Sequence, residues 1–574
     1  MRSAAVPRAA SSDPRLEGPA LRVVLGLLLV CLVGGCFGGD SQKTVALGPP
    51  HALQFVNVAS AAGLDFRHGA FRWGVSGDPA AMEGGGLCWL DYDDDGWLDL
   101  YVVNSYAEQE VAQWKAAGGL PRSALFHNDH GKFEDVSAES GADVEIRGNG
   151  CVAADLDLDG DTDLYVTTAR SQVLLWNEGD GKFREGARAA GVDAYGWRTG
   201  AAVGDVNGDG WPDIFVAGYA DMNGDNPAGT AGFPSTKLGV RDVLFLSNGR
   251  HDGKVTFREV GRQVGLEVAK FEYGLGALFT DLEGDGDLDL YLANDTNPDR
   301  LYENVEWPGG AKADPEGLGF RFEERAGPAG VADPGAGMGV SAGDYDGDGR
   351  SDLIVTNGRG QVHGVFKSNR PDENDPSYTD VRADLGPDFA GSVGWGVDWA
   401  DIDLDTDLDL FIANGYIPVT DLAEDAQPLE DYLNDGDSKF VDASAVSGLD
   451  DVGDLLARGA AAADYDNDGD VDFAISQIGG PLVLLQNRVS GKHWLEVALD
   501  GFHPGALVSV VLPDGRKLQR EAQAGGSYLS SEDPRCLFGL GDATEVKELV
   551  VRWPDGEETR LHDVKANQVV EVGP

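Results

Sequence analysis

The stretch DYDDDGWLDL at 91–100 is followed by six variants of itself: DLDLDGDTDL (155–164), DVNGDGWPDI (205–214), DLEGDGDLDL (281–290), DYDGDGRSDL (344–353), DIDLDTDLDL (401–410) and DYDNDGDVDF (464–473). Carboxylates at alternate positions of a short loop repel one another. Seven copies with one internal spacing imply loops built around a positive charge.

Five residues before each motif stands a glycine: Gly86, Gly150, Gly200, Gly276, Gly339, Gly396 and Gly459. Small or apolar residues mostly fill the interval, as in GAAAAD (459–464), which suits an inner strand packed near a propeller axis. An apolar strand follows each loop, as in LDLYVVN (98–104), then a third, as in ALFHN (124–128) or LLWN (174–177). A fourth has the form GKFEDVS (131–137), GKFREGA (181–187) or SKFVDAS (438–444). The mean interval of about 62 residues matches one four-stranded blade with its loops. The seventh copy has no such fourth strand after PLVLLQN (481–487), whereas an orphan copy, LQFVNVASAAGL, stands at 53–64. The N-terminal strand is therefore expected to complete the last blade, closing the ring and removing exposed sheet edges. The fold expected is all-β: a seven-bladed β-propeller over 51–488, then a small, separate β-sandwich-like domain over 489–574. In that tail, VVLPDGRKL (510–518) and VRWPDGEETRL (551–561) predict hairpins.

The spacing D-x-[DNE]-x-D-G-x-x-D offers oxygen ligands at positions one, three, five and nine, with a backbone carbonyl at seven and a glycine for the turn at six. Calcium, with its flexible all-oxygen coordination, fits this better than magnesium. The first loop would use Asp91, Asp93, Asp95 and Asp99 with the carbonyl of Trp97; the second, Asp155, Asp157, Asp159 and Asp163 with that of Asp161. The third would use Asp205, Asn207, Asp209 and Asp213 with Trp211; the fourth, Asp281, Glu283, Asp285 and Asp289 with Asp287. The fifth has Asp344, Asp346, Asp348 and Asp352 with Arg350; the sixth, Asp401, Asp403, Asp405 and Asp409 with Asp407; the seventh, Asp464, Asp466, Asp468 and Asp472 with Asp470. Up to seven Ca²⁺ ions are expected. Thr406 replaces the glycine of the sixth loop, which makes that site the weakest on expectation.

Asp and Glu outnumber Lys and Arg by 98 to 44, a net charge of −54, which argues against nucleic-acid binding. At the N-terminus, Arg2, Arg8, Arg15 and Arg22 precede the apolar run VVLGLLLVCLV (23–33) and then VGGC (33–36). This reads as a secretory signal over 1–36 that resembles a bacterial lipobox, with Cys36 lipidated as the membrane anchor and 37–50 a linker. Phe37 follows the cysteine where inner-membrane retention would place an aspartate, so an outer-membrane or cell-surface location is expected. Cys88, Cys151 and Cys536 are read as buried small hydrophobes rather than a disulfide pair.

The repeats resemble the FG-GAP/VCBS-type repeats of the integrin α-chain propeller. REAQAGGSYLSSEDPRCLFGLGDATEVKELVVRWPDGEETRLHDVKANQVVEV (520–572) looks like an ASPIC/UnbV domain. With FVNVASAAGLDFRHG (55–69) and MEGGGLCWLDYDDDG (82–96), the chain resembles the cartilage acidic protein family and its bacterial lipoprotein relatives. The resemblance implies a calcium-loaded extracellular propeller and no particular reaction.

No HExxH, GxSxG or Cys/His constellation occurs, and the glycine runs MEGGGL (82–87) and GAGMG (335–339) lead into strands, not helix N-termini. His68 and His363 are the histidines best placed to face a shared cavity, with a structural role expected for each. The leading functional reading is a binding or adhesion module for protein or glycan ligands. Candidate contacts are the inserts 222–240 and 415–430; Asp221, Asn223 and Asp225 in the first are read as a flexible polar loop ahead of a further ion site. The alternatives are a calcium-dependent polysaccharide lyase and a structural envelope scaffold.

Overall fold

The computed structural model describes residues 54–229, 232–266, 272–369 and 376–574. The expected signal, Cys36 and the expected linker lie outside the described residues. Among the described residues, seven four-stranded antiparallel sheets follow one another ahead of the tail. The first contains Leu87–Leu90, Asp99–Val102, Ala124–Asn128 and Phe133–Asp135, innermost to outermost. The last contains Ala457–Ala463, Asp472–Gln477 and Val483–Gln486, and its outermost strand is Val56–Asn57 from the other end of the chain. The register there is Val56↔Gln486 and Asn57↔Leu485, so the N-terminal strand closes the ring as expected.

The strands read as continuous apolar runs because both faces of each sheet are covered by neighbouring blades. Asp409–Asn414 and Asp472–Gln477 are buried along nearly their whole length, and Phe411 stacks on Phe473 across the blade boundary with centroids 4.0 Å apart. The inner glycines are needed for approach between backbones. A Cβ on Gly276 would lie 2.4 Å from the Met338 carbonyl oxygen, and one on Gly339 2.1 Å from that of Trp395.

Cys88 and Cys151 form a disulfide with Cα atoms 6.2 Å apart, against the reading of both as unpaired hydrophobes. They sit on the innermost strands of consecutive blades, which meet at the axis although 63 residues separate them in sequence. Cys536 is free and buried.

The tail has its own core, with Leu495, Val508, Phe538 and Val551 at its centre, between a four-stranded and a three-stranded sheet. Both PDG turns close hairpins, at Val511↔Lys517 and Arg552↔Glu558. The tail is nevertheless not separate. Residues 524–533 leave its sheets and enter the propeller axis. There Val203 N–H donates to Ala524 O (3.0 Å), Val340 N–H to Ser527 O (3.0 Å), Cys151 N–H to Leu529 O (3.2 Å) and Trp89 N–H to Ser531 O (3.1 Å). Ser527 Oγ donates to Ala460 O, and Tyr528 Oη, at the far end, donates to Glu83 O (2.8 and 3.0 Å). Inner strands have one edge without a sheet partner, and this segment pairs part of that edge. A Cβ on Gly86 would stand 1.8 Å from the Leu529 carbonyl oxygen.

Two deletions test this architecture. Removing residues through Leu64 should expose the edge of Val483–Gln486 and aggregate the protein. Removing 489–574 should lower the propeller's melting temperature by about 10 °C or more, because the axis loses its hydrogen-bond partners. Size-exclusion chromatography and thermal scans read both; monomeric variants with unchanged melting would show that neither end holds the ring.

Candidate metal sites

Each acidic loop joins the first and second strands of its blade, and all seven have the same internal scaffold. The position-one aspartate accepts two backbone N–H groups, from positions five and six. In the first loop Asp95 and Gly96 donate to the two oxygens of Asp91 at 3.1 and 2.9 Å. In the seventh, Asp468 and Gly469 donate to Asp464 at 3.0 and 2.8 Å. Two residues per loop have left-handed backbone. Position six is glycine in six loops and Thr406 (φ 98°) in the sixth; position four is Asp94, Leu158, Gly208, Gly284, Gly347, Leu404 or Asn467. The position-six glycine was legible in the sequence. The position-four requirement was not, because Leu158 and Leu404 disguise it.

The position-nine aspartate is the buried member. Asp99, Asp213, Asp289, Asp352, Asp409 and Asp472 have no exposed surface, and Asp163 almost none. One oxygen of each accepts the N–H of an Asn or Ser in or just after the third strand, as in Asn128→Asp99 and Asn487→Asp472, both 2.7 Å. In six loops the other oxygen accepts the N–H of position two, as in Tyr92→Asp99 at 3.1 Å and Ile402→Asp409 at 2.8 Å. The Asn amide then reaches the preceding blade. Asn128 donates to Tyr465 O, Asn177 to Tyr92 O and Asn304 to Val206 O at 2.8 Å; Asn434 donates to Tyr345 O and Asn487 to Ile402 O at 2.9 Å. These asparagines were missed as functional residues, although HN, WN, EN, LN and QN recur at the same place in the repeat.

At least four loops gather three of their four expected side-chain ligands. Asp91, Asp93 and Asp95 offer oxygens within 4.8 Å of one another, as do Asp155, Asp157 and Asp159, Asp344, Asp346 and Asp348, and Asp401, Asp403 and Asp409. Asp403 Oδ1, Asp472 Oδ2 and Glu283 Oε2 are buried and receive no hydrogen bond. Hard carboxylate oxygens left over in such a cage fit a calcium ion. The seven loops are not equivalent. The Lys367 ammonium pairs with Asp346 in the fifth, Arg250 with Asp157 (3.1 Å) in the second, and Gln486 Nε2 donates to Asp466 (2.6 Å) in the seventh.

The tail domain lies over part of this loop face. Arg552 pairs with Asp281 (3.3 Å), Arg516 donates to Thr406 Oγ1 (2.5 Å), and Gly541 N–H donates to Leu404 O (3.0 Å). Arg535 pairs with Asp533 (2.7 Å) and Glu496 (3.1 Å) and donates to Asp464 O (2.8 Å). A cavity of about 200 Å³ lies between tail and propeller, lined by Asp281, Asp344, Asp401 and Asp464 with Arg520 and Arg535.

Outside the loops, His68 and His363 have structural roles. Both are buried, and burial pushes their pKa down to about 3 and about 4. His363 Nδ1 accepts the Asn357 N–H (2.9 Å), and His68 Nδ1 that of Ala70 (3.3 Å). The two ends of the insert at 222–240 pair as a two-stranded sheet, Ala220–Asp225 against Lys237–Gly239, and Asp225 is paired with Lys237 at 2.7 Å.

Comparison with known proteins agrees with the resemblance read from the repeats. The FG-GAP-like repeat family matches residues 91–166, 155–216 and 281–355, and the ASPIC and UnbV family matches 500–574. Cartilage acidic protein 1 of Mus musculus is 25% identical over 349 residues, covering 56% of this chain and 48% of that protein. The Homo sapiens protein is 26% identical over the same length, covering 56% and 47%. The Xenopus tropicalis protein is 25% identical over 509 residues, covering 82% and 70%. The chain thus spans about half the length of the mammalian relatives it matches. Among solved structures, an Agrocybe aegerita lectin described as recognising non-reducing terminal N-acetylglucosamine aligns with a TM-score of 0.36 and 15% identity, covering 64% of this chain and 88% of the lectin. The Photorhabdus luminescens Tc holotoxin pore aligns at 0.28 and 15%, covering 70% and 17%.

Two predictions follow from the loop geometry. Burial, with crowding by like charges, raises Asp403 and Asp464 to about 7, Asp99 to about 8 and Asp470 to about 9. Without a cation, the native loops bind protons that the unfolded chain releases near pH 4. Stability in chelator should therefore fall as pH rises from about 4 to about 9. A bound cation displaces those protons, so stability in millimolar calcium should instead fall on acidification. Melting scans at about pH 5 and pH 8 should show the inversion; one pH profile under both conditions would refute cation binding. Second, left-handed backbone at a β-branched residue costs about 1–3 kcal/mol. Thr406→Gly should tighten the sixth site roughly 5- to 100-fold. Anomalous scattering at limiting calcium would rank the sites, and a native sixth site that fills as early as its siblings would show that the strain does not reach the cation.

Proposed function

We propose that this chain is a calcium-loaded, exported and membrane-anchored β-propeller that acts as a binding or adhesion module for a protein or glycan ligand. The observation that carries this reading is where the variable segments lie. Successive antiparallel connections alternate between the two ends of a blade. The acidic loops and the tail domain share one face. The connections at 105–121, 219–242 and 415–429, which follow the second strands, therefore emerge on the opposite face, as do the blade-to-blade segments containing Trp73 and Tyr195.

That opposite face carries large exposed side chains: Tyr195 is 73% accessible, and Trp73 and Met222 are each 42%. Trp73 packs edge-on against Trp114 with centroids 4.8 Å apart, and the Arg72 guanidinium lies 4.9 Å from the Trp114 ring. Aromatic and arginine groups on a rigid scaffold are the usual anchors of binding surfaces. The disulfide between the first two blades supports export to an oxidising compartment. The carboxylate cages support calcium, which at extracellular millimolar levels would fill even weak sites. Anchoring through Cys36 rests on the leader sequence alone.

A glycan array and a pull-down with the calcium-loaded full chain test the reading. The double variant Trp73→Ala/Trp114→Ala should lose ligand at least about tenfold while its melting temperature stays within a few degrees. Ligand capture unaffected by this variant and by deletion of 222–240 would refute the assignment to this face. Turnover of acidic polysaccharides, followed by ultraviolet absorbance, would replace it with the lyase reading.

A further inference from the structure

The residue that precedes the third-strand Asn or Ser differs in every blade but two: His127, Trp176, Leu246, Glu303, Lys367, Leu433 and Gln486. Its position is not incidental. Lys367 and Gln486 both reach the position-three aspartate of their own loop, Asp346 and Asp466. In the first blade the same place holds an imidazole. His127 Nδ1 lies 3.5 Å from Asp93 Oδ2 and 3.3 Å from Asp99 Oδ1. These three side chains offer ligand atoms within 4.8 Å of one another.

The contacts with His127 are poor hydrogen bonds. Nδ1 is shielded from solvent yet makes none, although two carboxylates face it. Separations of about 2.8–3.6 Å are those that a shared ion imposes on neighbouring ligands when its bonds are about 2.0–2.2 Å long. The donors are also held in place. Asp99 is fixed by the N–H groups of Asn128 (2.7 Å) and Tyr92 (3.1 Å), and each of its oxygens keeps a lone pair free. The imidazole is held edge-on by Tyr92 with centroids 6.0 Å apart. Imidazole nitrogen is a poor partner for calcium, which takes oxygen, and a good one for first-row transition metals.

We propose that the first loop is a mixed imidazole–carboxylate site, formed by His127, Asp93 and Asp99, that takes a first-row transition-metal dication in preference to calcium. The inference rests on reading the loops as cation cages, but it needs only this one to differ from its siblings. No other blade has histidine at this place.

The test uses the full chain in excess calcium, titrated with Co²⁺ as a spectroscopic probe, with Zn²⁺ as competitor. Ligand-field absorption should saturate at about one equivalent and be abolished by Zn²⁺. His127→Gln should weaken Co²⁺ binding about 10- to 100-fold. Glutamine is the residue that the seventh blade carries at this place, so folding should be retained, and the melting temperature checks it. His130→Gln, at an exposed neighbouring histidine, should change nothing. A Co²⁺ signal absent from the native chain, retained in His127→Gln, or lost in His130→Gln would overturn the proposal. Calcium content by elemental analysis is read on the same samples. Calcium-loaded loops without a Co²⁺ site would sink this inference alone; a Co²⁺ site in a chain that retains no calcium would sink the calcium reading alone.

Discussion

A carboxylate that accepts a hydrogen bond on each oxygen inside a packed core has only one place to stand. Six of the seven position-nine aspartates are such carboxylates, and all seven tie their acidic loop to the third strand. The asparagine that caps this aspartate sends its own amide to the preceding blade at five of the seven junctions. The acidic loop and the joint between blades are therefore one hydrogen-bonded unit. Where the third strand ends in serine there is no such amide, and in the fifth blade the Tyr378 hydroxyl takes its place, 3.4 Å from Leu282 O.

Much of this architecture was legible because a propeller repeats its local rules. The axis glycines, the four strand types, the cage spacing and the displaced N-terminal strand are all features of single blades compared with one another. What could not be read depends on which blades are neighbours in space. Cys88 and Cys151 lie 63 residues apart and meet only because consecutive inner strands converge. His127 is an unremarkable strand residue until its ring is seen beside Asp93 and Asp99. The left-handed position four was hidden by leucines in two loops, where the surrounding hydrogen bonds override the residue's own preference. Nothing in AGGSYLSSED (524–533) announces that its hydrogen-bond partners are propeller strands as far back as the one that holds Trp89.

The tail divides the loop face electrostatically. Arg552, Arg516 and Arg535 reach the fourth, sixth and seventh loops, and the first loop instead has His127 beside its carboxylates. Arginine cannot release its charge, so the loops beneath the tail keep a fixed positive partner. One repeat sequence thereby yields sites with unlike counter-charges, set by the tail and by single residues of the third strand.

The segment in the axis also constrains how the molecule is made. Synthesis runs from the N-terminus, so Val56–Asn57 must wait unpaired until Val483–Gln486 exists. The axis in turn cannot fill until residues 524–533 have been made. Both latches close only after the last blade has been made. Once they have closed, no blade can peel away without either breaking the ring at that seam or withdrawing the axial segment from between the others. Partial openings that would admit a protease are then nearly as improbable as global unfolding. Such a protein would persist through the slowness of its unfolding more than through the depth of its equilibrium stability.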